Sequence, residues 1–258
     1  MVILATAGCA GSRQRLIVAA GTTLVDSGII DRVLDTYQEV NPDVDIAVVG
    51  NPTRLILELG RQRTAALLIT HAPAQETEFI DSGAATAHAP VMLSRFVVVG
   101  PGALRAVSGG REAPEVFRQM ADAGQTFVSR GDGSGTHDLE LSIWLEAGID
   151  PTSRPWYLET GQGMGETLLI ADQREAVTLA EYGAFLSAEP SLSLVDLGLD
   201  PGGLENPYTG IAVAGSPGAA VAVELLEWLI SPAGTEAILD ANLELFGDVV
   251  YEPQGAIG

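Results

Sequence analysis

The chain has 258 residues, 47% of them apolar, and a formal charge of −21. That length and apolar content support one large domain or two modest ones and exclude a disordered chain, and no apolar run reaches the roughly 18 residues that span a bilayer. Lysine is absent, all 13 basic residues being arginine, and a surface this acidic argues against binding to nucleic acid or anionic membrane.

The segment Leu4-Ala-Thr-Ala-Gly-Cys9 has the form of a lipoprotein signal end: a short apolar run, small residues, then the single cysteine. On that reading residues 1–14 are a signal remnant and lipobox tail, and Cys9 carries lipid outside the cytoplasmic membrane. The competing reading is a free cysteine in a floppy terminus. The acidity reads as genome composition or a salty habitat. It still imposes one condition: a protein this acidic that binds an anion must build positive potential locally, from backbone N–H groups and one or two arginines.

Strands and amphipathic helices then alternate. Residues 15–20 read as a buried strand. A helix follows from Asp26 to about Asn41, with Ile29, Ile30, Val33, Leu34 and Tyr37 on one face and Pro42 as its stop. Strands are expected over 44–49, 65–70 and 91–99. Helices are expected from Pro52 to Gly60, with the proline in the first turn, and from Pro73 to Ser82. Further on, helices are expected over 113–123, 135–147, 161–172, 181–188, 218–230 and 232–241. Strands are expected over 126–129, 156–159, near 177, over 192–196 and over 208–214. Such alternation predicts an α/β fold of mostly parallel sheets with helices on both faces. Ligands of such sheets bind beyond the carboxyl ends of the strands.

Turns rich in small donors fall where strands give way to helices: Gly21-Thr22-Thr23, Gly50-Asn51-Pro52-Thr53, Ser129 to Thr136, and Thr160 to Gly165, which includes Gly163. A helix start offers unpaired N–H groups and partial positive charge, and glycine lets backbone approach the ligand. The segment Ser-Arg-Gly-Asp-Gly-Ser-Gly-Thr-His, Ser129 to His137, carries the strongest signal. Arg130 supplies charge, and Ser134, Gly135 and Thr136 supply N–H and hydroxyl donors. Asp132 pairs with Arg130 and holds its guanidinium fork. His137 lies behind the donors. Gly21-Thr22-Thr23 is weaker alone and gains from its place after the first strand.

His71, His88 and His137 lack metal-ligand spacing, and each reads as a surface or hydrogen-bonded structural histidine. No Walker loop, G-x-S-x-G elbow or paired carboxylates in a convincing context occur. An enzyme is therefore the weaker class, no cofactor is called for, and no cation site is expected.

The segments Val128 to His137, Trp144 to Asp150, Trp156 to Leu168 and Asn206 to Tyr208, with Leu67 to Pro73 and Asp26 to Asp31, resemble the tungstate-binding (TupA-like) solute-binding proteins of ABC importers. The likeness runs from about residue 16 to 240. It implies a two-lobed periplasmic-binding-protein fold of type II with a metal oxyanion in the interlobe cleft. Lobe I would comprise residues 15–98 and 206–258, and lobe II residues 99–205. It also implies that the family's donors carry over to Thr22 and Thr23 and to Arg130, Ser134 and Thr136. Asn51-Pro52-Thr53-Arg54 departs from the family's Gly-Thr-Gly, and Pro52 removes a backbone donor. Thr53 and Arg54 are added to the expected site, Arg54 either supplying a charge or pointing to solvent. Glu181-Tyr182 stands where relatives carry an Asp-Arg pair.

Tungstate, molybdate and sulfate are proton-free dianions at neutral pH and want donors only, whereas phosphate benefits from a buried acceptor. Residues 61–70 contain no acid, which favours a proton-free oxyanion unless Asp132 turns inward. The function expected is a monomeric receptor outside the cytoplasmic membrane that delivers tungstate or molybdate to a membrane permease. The alternatives are a phosphate or sulfate transport protein and an anion-sensing domain whose output is a protein contact.

Overall fold

The computed structural model describes residues 13–255. The chain begins with β1 (Gln14–Gly21), α1 (Thr22–Asp26), α2 (Ile29–Val40), β2 (Val44–Asn51), α3 (Thr53–Arg61), β3 (Leu67–Thr70), α4 (Pro73–Phe79) and β4 (Ala85–Pro101). It continues with α5 (Arg105–Ser108), α6 (Ala113–Ala123), β5 (Phe127–Ser129), α7 (Gly135–Glu146), β6 (Tyr157–Glu159), α8 (Met164–Gln173), β7 (Thr178–Glu181), α9 (Tyr182–Ala188) and β8 (Leu194–Asp196). The last elements are β9 (Glu205–Val213), α10 (Ala219–Leu229), α11 (Pro232–Phe246) and β10 (Glu252–Pro253). Cys9 and the expected lipobox lie outside the described residues.

Strands β2, β1 and β3 run parallel in that order, with Gly21 level with Asn51 and Ala20 level with Ile69. Parallel neighbours need crossovers, and the helices between them supply these. All three strands therefore end at one edge, where they feed α3, α1 and α4. Side chains alternate across β1. Leu16, Val18 and Ala20 pack with α2, α10 and α11, while Ala19 packs on the opposite face with Ile56, Leu57 and Phe79.

A second group of core residues lies between Phe96 and Leu204. Phe96 and Val98 pack with Phe117, Phe127 and Trp144, and Val97 and Val99 pack with Met164, Leu168 and Phe185. Helices again cover both faces. Strand β4 joins the two groups. Its first part pairs with β9 and β10, and its last part pairs with β7 and β8, all antiparallel. Strand β9 returns alongside it, with Arg95 opposite Glu205.

Several expected elements differ in extent, among them the last helix, which runs to Phe246 rather than Ala241, and β9, which begins at Glu205 rather than Tyr208. The helix expected over 26–41 begins only at Ile29, because Gly28 adopts φ 79° before it, and the short helix α1 precedes it. The residues expected on its apolar face are all buried. Pro52 is the residue before α3 and not its first turn, with Thr53 opening the helix. Strand β4 begins at Ala85 rather than Val91, since its first six residues alternate in exposure with mostly small side chains.

Candidate functional site

The parallel edge of β1 and β2 sets one wall. Thr22 and Thr23 open α1, and Thr53 opens α3. Thr23 is buried, its Oγ1 3.2 Å from the Tyr208 hydroxyl. Thr53 is also buried, and its hydroxyl has no hydrogen-bond partner.

The segment after β5 sets the facing wall. Arg130 is only 2% exposed. Its Nε and Nη2 donate to Asp132 Oδ2 at 3.1 and 2.5 Å, and Nη2 also donates to Thr22 Oγ1 at 3.3 Å. Asp132 Oδ1 accepts from the Ser134 N–H at 3.0 Å. Burial works to raise the Asp132 carboxyl, but the Arg130 charge and the Ser134 hydrogen bonds outweigh it and hold it below its ordinary range. Both Asp132 oxygens therefore serve the protein.

The loop's conformation follows from its glycines. Gly131 sits at φ +60°, and a Cβ there would lie 2.8 Å from Glu159 Cβ. The turn after β6 braces the same backbone: the N–H groups of Thr160 and Gly161 donate to the carbonyls of Ser129 and Arg130 at 3.0 and 2.7 Å. Ser134 caps α7, its Oγ accepting from the His137 N–H at 3.4 Å. His137 Nδ1 accepts from the Gly133 N–H at 3.1 Å, so this ring holds the loop from behind. Gly135 and Thr136 begin α7 and keep the open backbone donors of a helix start. The Thr136 hydroxyl is buried without a partner, like that of Thr53. Gly163 caps α8, where a Cβ would lie 3.2 Å from Glu166 Oε2, so a carboxylate attends that helix start.

His71, just past β3, lies between the walls. A Cβ on Gly135 would stand 3.0 Å from its Cε1, and one on Gly21 would stand 3.6 Å from its Cδ2. The ring stacks on Tyr208 at 5.2 Å and on Phe96 at 6.2 Å. His71 Nδ1 is 2.9 Å from Asn206 Oδ1, and Asn206 Nδ2 donates to the Tyr208 hydroxyl at 2.8 Å. Burial drives its pKa down to about 4, so the ring is neutral. Glu76, also buried, accepts from the Thr70 hydroxyl at 2.7 Å and the Ala72 N–H at 2.8 Å.

The structure thus brings Thr22 and Arg130 into contact, with Thr23, Gly135 and Asp132 beside them. Of the two roles open to Arg54, it shows the solvent one: the side chain is exposed at the second position of α3, while its neighbour Thr53 turns inward. Glu181 is fully buried and caps α9, accepting from Ser94 at 2.6 Å and Tyr251 at 2.9 Å. Its carboxylate is engaged in tying β4, α9 and the C-terminal segment. His71, Asn206 and Tyr208 are polar members of the site that sequence reasoning did not select as binding residues, although the segments holding them stand out in the chain. No cluster of three His, Cys, Asp or Glu suited to a cation occurs among the described residues. The assembled groups are one guanidinium, several hydroxyls and helix-start N–H groups, a set that donates hydrogen bonds to a small anion.

Residues 8–218 match the PBP superfamily domain. The chain is 39% identical to a putative ABC transporter anion-binding protein of Haloferax volcanii, over 94% of this chain and 73% of that protein. It is 30% identical to the tungstate-binding protein TupA of Peptoclostridium acidaminophilum, over 99% of this chain and 96% of the relative. The solved structure of a tungstate ABC transporter protein from Geobacter sulfurreducens superposes with a TM-score of 0.80 at 32% identity, covering 89% of this chain and 99% of that one.

Proposed function

We propose that this chain, which belongs to the PBP superfamily and within it to the family of the tungstate-binding TupA proteins, is the receptor that captures tungstate for an ABC importer. The observation that carries this reading is the pair of buried, unpartnered hydroxyls of Thr53 and Thr136, on the two walls that Arg130 and Thr22 bridge. Leaving a buried donor unpaired costs about 1–3 kcal/mol. Two such groups, one on each wall, recover the cost when an anion enters.

The polarity of the site selects among anions. Tungstate and molybdate carry no proton at neutral pH and present acceptors on every oxygen. Thr22, Thr23, Thr53, Arg130, Ser134, Gly135 and Thr136 present donors. Asp132, which is paired with Arg130, has both oxygens occupied by Arg130 and Ser134, so this carboxylate is not offered to a protonated oxyanion. The charge of −21 makes this local arrangement necessary.

Residues 15–98 with 206–255 form one lobe of the clamp and 99–205 the other, with β4 and β9 as the connection. The chain works as a monomer without chemistry of its own. It is held at the outer face of the cytoplasmic membrane by lipid on Cys9 and passes its ligand to the membrane permease. Isothermal titration with tungstate, molybdate, sulfate and phosphate tests the reading. Affinity in the nanomolar range, about −12 kcal/mol, is expected for tungstate, and absence of heat with all four anions would overturn it.

A further inference from the structure

We propose that His71 is a positioning residue that fixes the direction of a hydrogen-bond relay, His71 to Asn206 to Tyr208 to Thr23, so that the Thr23 hydroxyl offers its proton to the bound oxyanion. The inference rests on the oxyanion reading above and adds to it a group that determines selectivity.

The relay's direction follows from bookkeeping of protons. With the Asn206 amide oriented so that Oδ1 faces His71 Nδ1 at 2.9 Å, that oxygen can only accept, and Nδ1 carries the proton of the neutral ring. Asn206 Nδ2 donates to the Tyr208 hydroxyl at 2.8 Å. That hydroxyl, having accepted, has its own proton for Thr23 Oγ1 at 3.2 Å. In that direction, which the relay takes, Thr23 Oγ1 accepts within the protein and its own proton is left for the ligand. With the proton on Nε2 instead, the Asn206 amide would have to turn over and every bond would reverse. Thr23 would then donate to Tyr208 and show the ligand only lone pairs. Such a wall suits an oxyanion that carries a proton and repels one that does not.

The ring is held for this task. It is clamped between Tyr208 and Phe96. Gly135, in the first turn of α7, leaves no room for a side chain beside it, a Cβ meeting Cε1 and Nε2 at 3.0 and 3.1 Å. Tyr208 belongs to one core group and Phe96 to the other. The ring therefore sits where the two parts of the fold meet and occupies the space beside Gly21 and Gly135, the glycines of the two anion-binding turns.

Two substitutions separate a directing role from a packing role. His71→Asn places an amide N–H where Nδ1–H stood, and His71→Gln moves the amide to the Nε2 side. Asn206→Asp gives an acceptor on both sides, forces the Tyr208 hydroxyl to donate to it, and so reverses the bond to Thr23. Affinities for tungstate and inorganic phosphate are measured at about pH 8.5, where both anions carry two negative charges and only phosphate keeps a proton. Equal charge cancels the repulsion from the new carboxylate in the ratio of the two affinities. His71→Gln is expected to lose about 10- to 100-fold in tungstate affinity, the worth of a hydrogen bond to a charged group, while His71→Asn stays within about threefold. The tungstate-to-phosphate ratio should fall in His71→Gln and in Asn206→Asp.

Equal losses in His71→Asn and His71→Gln with an unchanged ratio, or wild-type binding by both, would overturn the proposal and leave the oxyanion reading standing. Failure of the unsubstituted protein to bind any oxyanion would overturn both. Nitrogen-15 spectra of the unsubstituted protein, with only three histidines, give a readout independent of variant folding. They should show a neutral His71 protonated on Nδ1 at pH 7, and an Nε2-protonated ring there would contradict the relay.

Discussion

The Arg130 guanidinium and the Thr22 hydroxyl meet at 3.3 Å, one from the loop after β5 and the other from the first turn after β1. The same guanidinium places two of its nitrogens on Asp132. A bidentate fork can hold its counterion and still reach across the cleft, which a point-charge ammonium cannot. Arg130→Ala is expected to lower tungstate affinity by at least about 100-fold, and Arg130→Lys by about tenfold despite keeping the charge. Calorimetric titration of the two variants checks this, and a lysine variant that binds like the original would contradict the role given to the fork.

Thr53 and Thr136 separate binding from stability. Valine keeps the shape of threonine and removes a hydroxyl that has no partner in the fold. Thr53→Val and Thr136→Val should therefore melt at or above the temperature of the original protein while each loses about tenfold in affinity. Thermal melts with and without tungstate report both effects. A lower ligand-free melting temperature with unchanged affinity would show the hydroxyls to be structural.

Two buried titrating groups act in opposite directions on stability. His71 has a pKa lowered by burial from 6.5 to about 4. The unfolded chain binds a proton there that the fold refuses, so stability falls as pH drops through that window. Glu140, on α7, has a pKa raised by burial from 4.5 to about 7, against the hydrogen bonds of Ser129, Tyr157 and Trp144. The fold keeps a proton there that the unfolded chain releases, so stability falls as pH rises through that window. Each slope is about 1.4 kcal/mol per pH unit, and over the shared range the two cancel.

Glu140→Gln mimics the protonated side chain. Its amide oxygen can still accept from Trp144 Nε1 and the Tyr157 hydroxyl, which approach Glu140 Oε1 at 3.1 and 2.7 Å. This variant should expose the histidine's slope and lose stability on acidification. His71→Asn should expose the glutamate's slope and lose stability on raising the pH. Melting profiles of the three proteins between pH 4.5 and 7 test the pair, and parallel profiles would contradict it.

Local pattern made much of this fold legible. The buried run at β1, the face of α2 and the segment Ser129 to Thr136 all speak through neighbours within a turn or a strand. Gly28 was harder, because a glycine near a helix start looks the same whether it continues the helix or breaks it at positive φ. The first half of β4 carries no strong apolar signal, since alanines alternate there with Thr86, His88 and Pro90, and pairing with β9 holds them. Arg54 drew the eye by its charge, but the first turn of α3 presents Thr53 inward and its neighbour outward. The link between His71 and Asn206 spans 135 positions, and that between Thr23 and Tyr208 spans 185. No periodicity encodes such a contact; it exists only once β3 and β9 pair.

The most direct test of the central claim is an anomalous difference map at the tungsten absorption edge from crystals grown with tungstate. A single strong peak within hydrogen-bonding distance of the Arg130 guanidinium and the hydroxyls of Thr22, Thr53 and Thr136 is predicted. A map without a peak there, or with tungsten only at exposed arginines such as Arg54, would contradict it.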